Sequence, residues 1–304
     1  MKRKVFLHIL ICLVILSSVL TGCSRSGEND AGQMETSTEE SSESQDNTSD
    51  SSDNSTGNTT QSPRSLNGKK LSILGDSIST FDGYIPTDYN IYYPGSGEIS
   101  TVEKTWWYQV MAATGMELNA NASSSNTTVT GDPADTTGSA PGRSLKRMGD
   151  LTPGDNGANP DILIVFMGTD DFHKSVPLGS FDGPSKQEDT VTNNFCDAYE
   201  LMLQKLNALY PDTQIYFCTL LETNAGDTDE HPDTYPCTNK NGNTIGDFNA
   251  EIATIASAYN YPVIDVHNCG ITYEKLGEYT SDGVNPNAAG AALIAEYIIN
   301  DLQY

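Results

Sequence analysis

From residue 69 onward, apolar positions recur in two rhythms that take turns along the chain. Lys70 to Leu74 is a short apolar run ending at Gly75, and a second strand is expected around residues 116–120. Asp161 to Met167 (DILIVFM) is apolar almost throughout between Pro160 and Gly168, as suits a strand buried on both faces. Ile215 to Leu221 and Val263 to Val266 complete the strand set. Between them the spacing is helical. Trp106, Val110 and Ala113 share a face, with Thr105 as N-cap and Gly115 as stop. Phe195, Tyr199, Met202, Leu206 and Leu209 share another, closed by Pro211, and Phe248, Ile252, Ile255 and Tyr259 a third. A last helix is expected from about Pro286 to Leu302, with Asn285 as its N-cap. Strand–helix alternation of this kind predicts an α/β fold, a parallel sheet with helices on both faces and right-handed crossovers. Sites in such folds form beyond the carboxyl ends of the strands.

Before residue 66 neither rhythm exists. Residues 24–64 hold 11 Ser, 6 Thr and 9 acidic residues, with Ala31 and Met34 as the sole aliphatic side chains, too little apolar surface to offset the entropy of ordering. This segment is expected to act as a disordered stalk, with a random-coil reach of roughly 35 Å. Ahead of it, Lys2, Arg3 and Lys4 precede the apolar run Val5 to Leu20, which is short for a membrane span and reads as a secretory signal. Leu20-Thr21-Gly22-Cys23 resembles the lipobox of bacterial lipoproteins. That resemblance implies cleavage before Cys23, a diacylglycerol on its sulfur, and anchorage at the bacterial cell membrane, facing the extracellular or wall side. The expected organisation is therefore 1–22 signal peptide, 23–65 lipidated cysteine and linker, and 66–304 a single folded domain.

Charge narrows the partners. The chain carries 16 basic and 41 acidic residues, a formal −25. The part after residue 65 holds 11 basic and 32 acidic residues, a formal −21, which repels phosphate backbones and excludes nucleic acid as a partner. Apart from Cys12 in the signal and Cys23, four cysteines remain: Cys196, Cys218, Cys237 and Cys269. They contain no CxxC pair, which argues against zinc, and their disulfide pairing stays open.

Polar residues cluster just after the strand ends. The first strand is followed by Gly75-Asp76-Ser77-Ile78-Ser79, the second by Asn121 to Asn126, and the third by Gly168-Thr169-Asp170-Asp171. Asp282-Gly283-Val284-Asn285-Pro286 precedes the final helix. A serine on a tight turn after a strand is exposed as a nucleophile, and neighbouring amides can stabilise an oxyanion. These blocks resemble the SGNH (GDSL-type) hydrolase family, a GDSL-like lipase/acylhydrolase family, over about Leu66 to Tyr304. Thr105-Trp106-Trp107, Cys218-Thr219-Leu220-Leu221, Val263-Ile264-Asp265-Val266 and Tyr279-Thr280-Ser281-Asp282-Gly283 add to the likeness. The resemblance implies a five-stranded parallel, flavodoxin-like sandwich and ester hydrolysis without a cofactor, commonly deacylation of glycans or short esters. It assigns Ser77 as nucleophile and first oxyanion donor, and Asp282 as triad acid.

Three positions depart from the family pattern. Asn126 stands at the second-block glycine, Asp170 at the oxyanion asparagine and Asn285 at the catalytic histidine. An amide cannot take a serine proton at neutral pH, and losing the histidine of a serine protease costs about 10⁶ in turnover. An ionised Asp170 would repel the oxyanion, and losing one donor costs about 10²–10³. A protonated Asp170 would donate instead, and Asp76, Asp171 and Asp282 would push it that way. His173 and His267 lie near the same edge and are the candidate substitute bases, while His231 sits in a polar loop. Asp76, Asp170, Asp171 and Asp282 with Asn126 and Asn285 would crowd hard oxygen ligands, which calcium favours. The reading adopted is that they cap separate turns, and no metal is expected. Tyr84, Tyr89, Tyr92 and Tyr93 suggest an aromatic wall, with Tyr84, Tyr92 and Tyr93 as substrate contacts, and one of Trp106 and Trp107 could also stack on sugars. Two functions follow. One is a lipid-anchored extracellular esterase or acylhydrolase acting on an acylated glycan or small ester. The alternative is an impaired domain of the same fold that binds carbohydrate without turnover.

Overall fold

Why the sheet closes as it does follows from the apolar runs. β1 (Lys70–Gly75), β2 (Glu117–Asn121), β3 (Ile162–Phe166), β4 (Gln214–Cys218) and β5 (Val263–Ile264) form one five-stranded parallel sheet in the order β2-β1-β3-β4-β5. This computed structural model describes residues 65–154, 157–185, 192–224 and 235–302. The signal segment, Cys23 and the acidic stalk lie outside the described residues, as does His231. β3 has no exposed residue, as its unbroken ILIVF run requires of a central strand. β5 is shorter than expected: after Ile264 the chain turns into a 3-10 segment, Val266–Asn268.

Helices cover both faces. α1 (Trp106–Thr114) and α7 (Ala288–Leu302) pack on one side, where Trp106, Trp107, Ile294 and Ile298 are buried. α4 (Phe195–Leu209) and α5 (Ile245–Ala258) cover the other, with Phe195, Tyr199, Phe248 and Ile252 buried. The short helices α2 (Leu145–Gly149), α3 (Thr169–His173) and α6 (Leu276–Tyr279) sit in the connections. Thr105 caps α1 by accepting the Tyr108 N–H at 3.3 Å. The cap of α7 corrects the sequence reading. Asn287, not Asn285, accepts the Ala289 and Gly290 N–H groups, both at 3.0 Å, which frees Asn285 for the loop before it. All four domain cysteines are buried, and no two of them form a disulfide.

The strand order reverses direction about β1: the chain steps out to β2 and then back to β3. The crevice between the carboxyl ends of β1 and β3 is the topological switch point where doubly wound sheets place ligands. Gly75 pairs in register with Phe166, so the two strands end level there.

Candidate active site at the sheet's switch point

Ser77 emerges directly from β1. The last strand residue is glycine, Gly75, and a Cβ there would lie 2.7 Å from Ser79 Oγ and from Ser123 Oγ. Asp76 caps the following 3-10 turn, Ser77–Ser79, by accepting the Ile78 N–H at 3.3 Å. Thr80 closes the turn by donating its N–H (3.2 Å) and its hydroxyl (3.0 Å) to the Ser77 carbonyl. Beneath, the Ser79 carbonyl accepts Trp107 Nε1 at 3.1 Å and Asn121 Nδ2 at 2.9 Å, while Trp106 Nε1 donates to Ser79 Oγ at 3.2 Å. Both tryptophans are buried, which corrects the idea that one stacks on sugar: they are the floor under the serine turn. Ser77 is 9% exposed, and its hydroxyl makes no hydrogen bond among the described residues. As the first residue of the turn its N–H has no partner within the turn, which leaves it able to donate to a group seated over Ser77.

The loop after β2 is tied to that turn. Ser124 N–H donates to the Gly75 carbonyl at 3.1 Å. Asn126 is exposed and left-handed (φ 60), a conformation that asparagine tolerates better than most residues at this glycine position, and its carbonyl accepts Lys174 Nζ at 2.6 Å. Arg147 of α2 fastens the whole edge from inside. Its Nε donates to the Ala122 carbonyl (2.8 Å), Nη1 to Ala140 O and Thr127 Oγ1 (3.0 Å each), and Nη2 to Gly75 O (2.6 Å). Burial lowers its pKa to about 10, against the pull of Tyr89, Asp76 and Asp150.

α3 brings the acids. Gly168 at φ 130 turns the chain off β3, with the Phe195 ring 3.1 Å from where a Cβ would stand. Asp171 is fully buried and clamps the second loop, accepting Val129 N–H (2.7 Å), Thr130 N–H (3.2 Å) and Thr130 Oγ1–H (2.9 Å). Even so, burial raises its pKa to about 6. Asp170, at the oxyanion-asparagine position, accepts the Thr127 N–H and lies 3.9 Å from Lys174 Nζ. Its pKa is raised to about 6, chiefly by burial. Burial and the neighbouring Asp170 raise Asp76 to about 7.

The fourth block folds as a self-contained turn. Asp282 Oδ1 accepts Val284 N–H (3.0 Å) and Asn285 N–H (2.7 Å), and Oδ2 accepts Asn285 Nδ2–H (2.9 Å) and the Tyr92 hydroxyl (2.7 Å). Burial pushes this carboxyl up, but those four donors outweigh it and hold the group below its usual range as a satisfied carboxylate. The Asn285 amide thus holds on Asp282 the place that an imidazole N–H holds on a triad acid, and its own Oδ1 is buried without a hydrogen bond among the described residues.

Tyr92 joins the two halves of the site. Its N–H donates to Thr80 Oγ1 at 3.0 Å and its phenol reaches Asp282, so one residue links the serine turn to the acid loop. The proposed aromatic wall is therefore only partly a wall. Tyr93 is fully buried with its hydroxyl on the Pro286 carbonyl (2.6 Å), and Tyr89 is buried with its hydroxyl on Asp150 (2.7 Å). Tyr84 alone of the four is exposed, at 41%, against Trp107. Neither candidate substitute base bonds to Ser77. His173 Nε2 meets Thr223 Oγ1 at 3.0 Å, and His267 Nδ1 meets the Leu220 carbonyl at 3.2 Å. With Asp171 and Asp282 engaged by backbone and hydroxyl donors, no set of three or more His, Cys, Asp or Glu among the described residues is arranged to hold a metal ion. Sequence reasoning missed Arg147. Its trace was there: the domain has two arginines, Arg143 and Arg147, four apart among nine lysines, and arginine is the residue for several fixed acceptors.

A serine turn, a second loop and an acid-bearing helix around the switch point of a β2-β1-β3-β4-β5 sheet are the arrangement of the SGNH hydrolase fold. A family model for the GDSL-like lipases/acylhydrolases matches residues 69–234, and the chain belongs to that family. Solved structures agree in fold. A protein of Bacteroides ovatus described as a GDSL-like lipase is 24% identical, with 77% of this chain and 98% of that one covered at a TM-score of 0.55. A protein so described from Bacteroides uniformis is also 24% identical, over 77% and 95% of the two chains at 0.53. A Lactobacillus plantarum protein is 20% identical, over 78% and 97% at 0.56. No curated protein matches the sequence.

Proposed function

We propose that the chain is a lipid-anchored extracellular acylhydrolase that engages acylated glycans or small esters at Ser77 and hydrolyses them slowly. The observation that carries this reading is Ser77 itself. Its hydroxyl makes no hydrogen bond among the described residues, it stands on the turn at the switch point, and its own N–H heads that turn. An ester carbonyl seated over Ser77 would place its oxygen toward that N–H, the arrangement that stabilises a tetrahedral oxyanion. Slow turnover follows from Asn285, since an amide contributes no base and the serine proton must pass to water. Lipid anchorage rests on Lys2-Arg3-Lys4, the apolar run and Leu20-Thr21-Gly22-Cys23, and the glycan on Tyr84 beside the site. A second reading, carbohydrate binding without turnover, is favoured by the Asn285 Nδ2–Asp282 bond of 2.9 Å, which fills the base's place.

The test uses the full chain with a fluorophosphonate probe and p-nitrophenyl acetate, beside Ser77→Ala and Asn285→His. In Asn285→His the imidazole Nδ1–H would meet the Asp282 oxygen that now accepts the amide. Slow wild-type labelling that Ser77→Ala abolishes, with a gain in Asn285→His, supports the hydrolase. A wild type indistinguishable from Ser77→Ala, with activity in Asn285→His, supports the binding reading instead. Palmitate incorporation that disappears in Cys23→Ala tests the anchor.

A further inference from the structure

Two carboxyls beside Ser77 each carry a buried oxygen with no well-formed hydrogen bond among the described residues. Asp76 is fully buried: one oxygen takes the Ile78 N–H, and the other lies against the Thr169 hydroxyl without a well-directed bond. Asp170, the residue after Thr169, has its Oδ2 buried and unbonded, while its Oδ1 stands 3.9 Å from Lys174 Nζ, beyond hydrogen-bond reach. Two neighbouring carboxylates with bare, desolvated oxygens cannot both remain ionised without a large cost.

The surroundings compensate only in part: Lys174, 3.9 Å from Asp170 Oδ1, pulls that carboxyl down against burial, and Arg147 feels the charge of Asp76. Asp171 of α3 is committed to Val129 and Thr130, and adds a further negative group. Arg147 of α2 spends its guanidinium on three carbonyls and the Thr127 hydroxyl. Tyr93, from the segment after the serine turn, feels Asp76 and Asp282 and is itself pushed well above its usual range, chiefly by burial. Asp282 is held by Tyr92 and its own loop. Thr127 N–H, from the loop after β2, is the donor that reaches Asp170 from outside α3.

We propose that Asp76 and Asp170 hold a single proton in common, and that this proton conditions the oxyanion position beside Ser77, so the site accepts a developing negative charge only while the pair keeps it. The catalytic half of this statement rests on the hydrolase reading above. The direction of both pKa values agrees: about 7 for Asp76 and about 6 for Asp170, with the macroscopic steps belonging to the pair. As pH rises the proton leaves to solvent and two negative charges face the hole. The resulting pH dependence runs opposite to that of a histidine-based serine hydrolase, which fails at low pH when its base is protonated.

Two measurements on the full chain test this. Ser77 labelling by a fluorophosphonate should be about 10²-fold faster, after correction for probe hydrolysis, at roughly pH 5.5 than at roughly pH 8, the factor of one oxyanion donor. Asp170→Asn, which supplies a permanent amide donor of the same shape, should flatten that profile and raise the rate at the higher pH. A profile unchanged in Asp170→Asn overturns the proposal. Infrared spectra of ¹³C-aspartate protein, read near neutral pH, should show a protonated-carboxyl band that both Asp76→Asn and Asp170→Asn diminish. A missing band, or one persisting in both variants and so owed to Asp171, overturns it whatever the turnover. A band that behaves as expected without Ser77-dependent labelling at any pH upholds the shared proton and overturns the hydrolase reading.

Discussion

Replacing Arg147 with methionine keeps the unbranched stem and removes the fork that ties the site-bearing edge together. Four acceptors lose a donor: the carbonyls of Gly75, Ala122 and Ala140, and the Thr127 hydroxyl. Gly75 O still receives Ser124 N–H, and the Thr127 hydroxyl still donates to Ser124 O at 2.6 Å. The Ala122 and Ala140 carbonyls are left bare, at about 1–3 kcal/mol each. Relief of the buried cation offsets part of this, while the lost packing and the bonds to Gly75 and Thr127 add to it. The net is about 3–5 kcal/mol, in the range for stripping one side of a buried charged network. At roughly 2–4 °C per kcal/mol for a domain this size, thermal unfolding followed by circular dichroism should fall by about 10 °C. Arg147→Lys should recover little, because one ammonium cannot span acceptors that a planar fork reaches on separate nitrogens. Ser77 labelling should fall at temperatures where both variants are still folded, since three of the four acceptors frame the serine turn and the loop beside it. A melting shift under about 2 °C in Arg147→Met, or a lysine variant equal to wild type, would refute the reasoning.

Asp76, raised from an ordinary 3.8 to about 7, binds its proton more tightly in the folded than in the unfolded chain. Its contribution is therefore fully present below the unfolded value and lost as pH climbs through the folded one, amounting to at most about 4 kcal/mol by pH 8. The melting temperature should decline between about pH 5 and pH 8, and Asp76→Asn, whose amide donates permanently, should flatten that decline. A wild type whose stability rises across the window contradicts the assignment. Tyr92→Phe removes the 2.7 Å bond to a half-exposed Asp282 and should cost about 1 kcal/mol, read as a small fall in urea midpoint. It should slow Ser77 labelling more than that loss explains, because Tyr92 joins the serine turn to the Asp282 loop.

Much of this molecule was written in local pattern. The β1 and β3 runs, the α1, α4 and α5 faces and the Gly75-Asp76-Ser77-Ile78 turn are each specified by residues near in sequence. Burial on two faces selects an unbroken apolar strand, and helical spacing selects a stripe that covers it. Asn285 was the exception within a local motif. As an N-cap before Pro286 it looked satisfied, yet Asn287 caps α7 and Asn285 folds back onto Asp282. Two asparagines two residues apart compete for one helix end, and the bridge between Thr280 and Pro286 goes with the choice.

The five strands and four long helices in their order, the serine turn and the absence of a histidine at position 285 were settled by the amino-acid sequence itself, because each depends on neighbours a few residues away. Tertiary structure alone decided that Tyr93, Trp106 and Trp107 are core, that Tyr92 anchors Asp282, that Arg147 holds three loop segments and β1, and that Asp76 and Asp170 share one desolvated corner. Those outcomes turn on burial and on acceptors from distant segments. A side chain's charge, exposure and partners are fixed only when the sheet's crossovers bring those segments to the same edge.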